Sequence, residues 1–129
     1  MQNEASKSKP KILYVEDQLD AFNLVVIHLR DNFEVIGAES PAQAKEILNT
    51  ENIALILLDI ALEEKFDGLQ LLTEVKSDER YKNIPLITLT AYAMHGEKEK
   101  FLQEGADEYI SKPFKRDILR EKINSLIRQ

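Results

Sequence analysis

The sequence predicts an α/β domain: a five-stranded parallel sheet, doubly wound, with helices on both faces. Three observations predict it. Apolar runs of β type alternate with segments of helical spacing five times along 129 residues. Strand–helix–strand units force parallel pairing, and right-handed crossovers leave few topologies. The run ALILLD (54–59) lacks polar alternation, so it belongs at the centre of the sheet, covered on both sides.

Each element follows from local chemistry. KILYV (11–15) is the first strand, and the acidic pair Glu16-Asp17 comes directly after it. Phe22, Val25, Val26 and Leu29 recur at helical spacing, which predicts a helix over 18–31. FEVIGA (33–38) is the second strand. Ser40-Pro41 opens the next helix, with serine as cap and proline in the first turn. Its inner face is Ala44, Ile47 and Leu48. After the central strand, a loop over 60–67 ends in Asp67-Gly68, and GLQLLTEVKSD forms a helix on Leu69, Leu72 and Val75. IPLITLT (84–90) is the fourth strand, with Pro85 near its start, where a missing N–H does least harm. Residues 94–104 form a mostly charged helix anchored by Phe101 and Leu102 and ended by Gly105. DEYIS (107–111) is the fifth strand. From Phe114 runs the last helix, with Leu119, Ile123 and Leu126 inward. Residues 1–9 read as a disordered tail and 10–129 as one domain.

Composition narrows the function. The chain is 43% hydrophobic and 31% charged, which suits a globular domain with a real core. It has no cysteine, so disulfides, thiolate metal sites and a cysteine nucleophile are excluded. The formal charge of -6 argues against a nucleic-acid partner. The basic residues of the last helix, Lys115, Arg116, Arg120, Lys122 and Arg128, read instead as partners of Asp117 and Glu121 or of another protein. No apolar run approaches the roughly 20 residues that span a bilayer, and the start has no signal-peptide core. A cytoplasmic protein without a membrane partner is expected. His28 and His95 read as surface or helix residues rather than ligands.

The chemistry collects at the carboxyl ends of the strands, where doubly wound sheets hold their ligands. Glu16 and Asp17 follow strand one, Asp59 ends strand three, Thr90 ends strand four, and Ser111 ends strand five ahead of Lys112-Pro113. Converging acids without histidine or cysteine suit a hard, oxygen-loving cation, and Mg²⁺ is the expected cofactor. The lysine offsets part of the negative charge, and the threonine hydroxyl can donate to a group arriving at Asp59. A carboxylate, Mg²⁺ and an ammonium fit phosphoryl transfer, with Asp59 as the nucleophile that forms an aspartyl phosphate.

The segments LYVEDQ, LILLDI, LTAYA and GADEYISKPF, in this order and spacing, resemble the receiver domain of bacterial two-component response regulators. The resemblance covers about residues 10–128, and the single-domain, chemotaxis-regulator-like members are the nearest parallel. It implies a flavodoxin-like strand order of 2-1-3-4-5. It implies Asp59 as phosphoacceptor, Asp17 as direct Mg²⁺ ligand, Glu16 as a ligand through water, and the Ala61 backbone carbonyl as a further one. Thr90 would be the hydroxyl that moves toward the phosphoryl group, and Lys112 the phosphate-binding lysine. The Lys112-Pro113 bond would be cis, and Tyr109 would be the aromatic switch that turns inward on activation. The donor would be a phosphohistidine on a sensor histidine kinase or a histidine phosphotransfer protein. Residues 94–128 would form the face for a downstream protein partner or for a second copy in a homodimer. The protein would be a switch that turns over no free substrate, with only its own phosphorylation and dephosphorylation at Asp59.

One departure stands out. The family usually has a proline four residues after the phosphoacceptor, where this chain has Glu63, and the loop IALEEKFDG is one residue longer. The entrance around Glu63, Glu64, Lys65 and Phe66 should therefore differ, and its two extra carboxylates would repel an incoming phosphodonor. Two other functions compete. A haloacid-dehalogenase-type phosphatase also uses an aspartate at a strand end, but it carries a second aspartate two residues on, where this chain has Ala61. A degenerate receiver acting as a constitutive scaffold would not need Glu16, Asp17, Asp59, Thr90 and Lys112 together.

Overall fold

The computed structural model describes residues 9–60, 68–90 and 97–127. Its elements are β1 (Lys11–Val15), α1 (Leu19–Leu29), β2 (Glu34–Ala38), α2 (Pro41–Thr50) and β3 (Ile53–Asp59). There follow α3 (Gly68–Ser77), β4 (Leu86–Thr90), α4 (Glu97–Gln103), β5 (Glu108–Ser111) and α5 (Arg116–Ile127). All strand pairs are parallel, in the order β2-β1-β3-β4-β5. The doubly wound sheet and its strand order agree with expectation.

The strand period of two sorts the core into two layers. Ile12, Tyr14, Leu55, Leu57, Ile87, Leu89 and Ile110 point to one face and meet Val25 and Leu29 of α1 and Leu119 and Ile123 of α5. Leu13, Val15, Ile56, Leu58 and Leu86 point to the other, against Ala44 and Leu48 of α2, Leu71, Leu72 and Val75 of α3, and Phe101 of α4. In β3, Leu55, Leu57 and Leu58 are fully buried, each contributing about 1.5–3 kcal/mol by leaving water. The central position expected of this strand follows from its having no face for a polar side chain.

The ends of the elements are set by single residues. Ser40 caps α2, its Oγ accepting the Gln43 N–H at 3.1 Å, with Pro41 at the first position. Gly105 follows α4 with φ +118°, the left-handed conformation that closes a helix cheaply only without a Cβ. Expected and observed bounds differ by a residue or two at most elements. β4 begins at Leu86 rather than 84, because the Leu86 N–H goes to the Asp107 side chain and Pro85 has no N–H to give. α5 begins at Arg116, two residues after Phe114. Leu102 is 37% exposed, so Phe101, at 3%, is the residue that anchors α4; the next residue, a helical step of about 100° away, lies at the edge of the buried stripe.

Far from the strand ends, one cation fastens three elements. Lys76 of α3 donates to the carbonyls of Lys82 (3.1 Å) and Ile84 (2.8 Å) and to Asp107 Oδ2 (2.9 Å). Its stem lies against Gly105, where a Cβ would stand 2.8 Å from Lys76 Cγ. The Lys76 side chain is 13% exposed and that of Asp107 40%, so these charge-assisted bonds are partly shielded. Lys76→Met keeps the stem and removes the ammonium. It should cost about 1.5–3 kcal/mol, the range for hydrogen bonds to charged groups, read from urea unfolding with an unchanged m-value. A loss below about 0.5 kcal/mol, as at an ordinary surface position, would contradict this role.

Candidate functional site at the carboxyl edge of the sheet

Register decides which side chains meet. The last β1–β3 pair is Val15 with Leu58, so the next step along both strands sets Glu16 beside Asp59. The backbone carries the order past the strand ends. The Glu16 N–H donates to the Ala38 carbonyl at 2.9 Å, and that of Ile60 to the Leu89 carbonyl at 2.8 Å. Across the sheet, Thr90 pairs with Ser111, and the Lys112 N–H donates to the Thr90 carbonyl at 2.8 Å. The Lys112-Pro113 peptide bond is cis.

These constraints bring three of the expected site residues together. The Lys112 ammonium donates to Asp59 Oδ2 and lies 3.7 Å from Glu16 Oε1. Glu16 and Asp59 are 7% and 8% exposed, two carboxylates buried side by side with one ammonium between them. Glu16 Oε2 also accepts the Gln18 N–H at 2.9 Å, at the start of α1, where the Gln18 side chain makes no capping bond. Burial, then hydrogen bonding with Asp59 and its charge, push the Glu16 carboxyl well above the ordinary glutamate range; Gln18 and Lys112 pull it back only in part. Among the described residues the pair has one cation for two acids, which is the condition a hard divalent cation relieves. Its oxygen donors are of the type Mg²⁺ takes.

The remaining expected residues stand as follows. Asp17 is exposed, next to Glu16. Among the described residues, no three acidic or histidine side chains form a ready metal cluster. Thr90 is buried at the end of β4. Ala61, proposed for its carbonyl, lies outside the described residues, as do Glu63, Glu64, Lys65, Phe66 and His95. His28 is half-buried on α1, where its backbone carbonyl accepts from Arg120 Nε at 2.9 Å.

The chain matches the family model described as "Response regulator receiver domain" over residues 12–124. It belongs to that family. It is 40% identical over 81 residues to the polar-differentiation response regulator DivK of Brucella ovis, a match spanning 63% of this chain and 65% of DivK. It is 33% identical over 120 residues to the transcriptional regulatory protein SrrA of Staphylococcus aureus, covering 92% of this chain and 48% of SrrA. These matches thus span less than two thirds of either relative. Among solved structures, it resembles the receiver domain of the sensor histidine kinase PA1611 from Pseudomonas aeruginosa PAO1. The TM-score is 0.83 and the identity 30%, over 95% of this chain and all of that one. That structure holds a magnesium ion coordinated in its active-site cleft.

Within this receiver domain, Tyr109 pairs with Thr88 across β4 and β5 and packs on Phe101, ring centroids 6.0 Å apart. Its hydroxyl is buried. The basic side chains of α5 turn to neighbouring elements rather than along their own helix. Lys122 lies 3.5 Å from Glu108, and Arg120 4.0 Å from Asp31; among the described residues, only Arg116 pairs along the helix, with Asp117 at 3.8 Å. One polar contact was not anticipated: the buried Tyr14 hydroxyl donates to Glu16 Oε1 at 3.4 Å. The signal for it is period two, which sets residues 14 and 16 on one face.

Phe101 is the one residue of α4 fully inside the core among those described. Phe101→Ala should therefore loosen α4 and leave the sheet intact. The expected result is hydrogen exchange at the amides of 101–103 faster by about tenfold or more, with β1 and β3 amides falling only with global stability. Equal acceleration in all of these segments would contradict a locally tethered helix.

Proposed function

We propose that this receiver domain is a phosphorylation-operated switch in which Asp59 accepts a phosphoryl group from a phosphohistidine. The observation that carries the reading is the Lys112 ammonium seated on the buried Asp59 carboxylate beside Glu16. In the transfer, an Asp59 carboxylate oxygen bonds to phosphorus while the donor's P–N bond breaks, and the electron pair leaves with the imidazole. Asp59 is suited to this because its strand presents it at the rim. Lys112 can turn from Asp59 to a phosphoryl oxygen without leaving the site, as one flexible point charge.

Glu16, Asp17 and Asp59, with the Ala61 carbonyl, would hold Mg²⁺. When bound, the ion supplies neutralisation of the charge on the phosphoryl oxygens. The magnesium in the related Pseudomonas receiver domain supports that assignment.

A phosphoryl group adds about two negative charges at neutral pH. Thr90 can donate to it from the end of β4, and movement there is felt at Tyr109 through the β4–β5 pairing. Tyr109 touches Phe101, the anchor of α4, so the readout is a shift of α4 and of the face over residues 94–128. A sensor histidine kinase or a histidine phosphotransfer protein fits as donor. A downstream protein, or a second copy of the chain, fits the α4–β5–α5 face. The switch works in the cytoplasm and turns over no free substrate. Among the described residues no helix is long and apolar enough to cross a membrane.

With Mg²⁺ and acetyl phosphate, the intact mass should rise by one phosphoryl group, and Asp59→Asn should abolish the gain. Turnover of many equivalents of a general phosphomonoester would indicate a hydrolase instead. No modification and no Mg²⁺ binding would leave a constitutive scaffold.

A further inference from the structure

The strand that delivers Glu16 carries a second polar atom to the same place. Tyr14 is fully buried in the layer under α1 and α5, yet its hydroxyl reaches Glu16. Its ring is held in position. It stacks on Phe22 of α1, centroids 5.9 Å apart and planes 15° from parallel. Phe22 in turn lies over Gly37, which is the register partner of Tyr14 on β2. A Cβ at Gly37 would stand 2.5 Å from Phe22 Cε1, so only glycine leaves room for this ring.

Packing alone asks for a phenyl ring here, not a phenol. A hydroxyl taken out of water is costly unless it finds a partner, and this one finds the acids. A phenol has a proton to give and a carboxylate accepts, so at this contact the hydroxyl is the donor and Glu16 the acceptor.

We propose that Tyr14 is a positioning residue of the acidic site: clamped by Phe22 over Gly37, its hydroxyl donates to Glu16 and holds that carboxylate, beside Asp59, ready for a hard divalent cation. This rests on the reading of Glu16 and Asp59 as the cation-holding, phosphoryl-accepting pair. Three donors then serve the two acids. On the proposed reading, Lys112 turns to the phosphoryl group during transfer. The Gln18 N–H and the Tyr14 hydroxyl belong to backbone and core, and they remain. Tyr14 is thus the side-chain donor that keeps Glu16 oriented while Lys112 is occupied elsewhere. It touches no reacting atom, so its effect passes through Glu16 and Asp59.

The test uses the full chain, with Mg²⁺ as the probe, and compares wild type, Tyr14→Phe and Phe22→Leu. Mg²⁺ binding is followed by NMR through backbone amides and the Glu16 carboxyl carbon. Phosphorylation by acetyl phosphate is followed by intact mass across Mg²⁺ concentrations. Tyr14→Phe should raise the Mg²⁺ dissociation constant about three- to tenfold, as expected for one lost hydrogen bond. The Mg²⁺ concentration for half-maximal phosphorylation should rise by the same factor, with the rate at saturating Mg²⁺ within about twofold of wild type. The Glu16 carboxyl carbon should shift even without metal, which a purely space-filling ring would not cause. Phe22→Leu keeps the hydroxyl but loses the stack, and should weaken Mg²⁺ in the same direction by less. Wild-type Mg²⁺ affinity and an unmoved Glu16 carbon in Tyr14→Phe overturn the proposal. If that variant does not fold, wild-type affinity in Phe22→Leu overturns it. Failure of the underlying reading looks different: wild type itself then takes up neither Mg²⁺ nor phosphoryl, and the proposal falls with it.

Discussion

Among the described residues, two carboxylates share the buried carboxyl edge of a parallel sheet, and one ammonium stands between them. Every other feature of this molecule can be read as cause or consequence of that arrangement. Its cause is register: Val15 opposite Leu58 leaves Glu16 and Asp59 as the next pair, and neither side chain can turn away while both strands hold their course. Like charges so placed repel, and burial makes each charge harder to solvate. Lys112, carried in from β5, offsets one of them. The deficit that remains is what the proposed divalent cation would relieve.

The fold divides its labour around this edge. The layer beneath α1 and α5 is rigid and aromatic at the point where it touches the acids, through Tyr14, Phe22 and the bare backbone of Gly37. The layer beneath α2, α3 and α4 is held at the opposite end of the sheet by Lys76 and Asp107, and beside β5 by the contact of Phe101 with Tyr109. For the proposed switch, a firm floor under Asp59 and a lightly fastened helix beside Tyr109 are complementary requirements. Chemistry needs fixed geometry, whereas signalling needs an element that moves for little free energy.

Much of this was legible in the sequence, for physical reasons. Parallel strands buried on both faces read as unbroken apolar runs, so ALILLD declared itself central and its terminal aspartate stood out. The topology of repeated strand–helix units then brought Glu16, Asp59 and Lys112 to one rim without any knowledge of distances. What stayed hidden depends on three-dimensional neighbours. In KILYV, Tyr14 reads as one more apolar strand residue until its face is known. Gly37 reads as a weak strand position until Phe22 is laid across it. Lys76 is one lysine among many until its three oxygen partners gather, and Leu102 looks as good an anchor as Phe101 until the helix phase is fixed. The exposed Asp17 carboxylate belongs to the same class, because its strand neighbour could be predicted but not its orientation. The loop 61–67 and the stretch 91–96, where sequence reasoning put Ala61, Glu63 and the start of the fourth helix, lie outside the described residues.

The most direct test of the central claim is to locate a divalent ion on the protein in solution. Mn²⁺, a paramagnetic stand-in for Mg²⁺, broadens the NMR signals of amides near it. At substoichiometric Mn²⁺, the amides of Glu16, Asp17, Asp59, Ile60 and Lys112 should broaden first. Those at the opposite end of the same strands, Lys11 and Ile53, should stay sharp, and excess Mg²⁺ should restore the lost signals. Broadening that starts elsewhere, or that spreads evenly over the acidic surface and resists Mg²⁺, would contradict a cation site built by the meeting of Glu16 and Asp59.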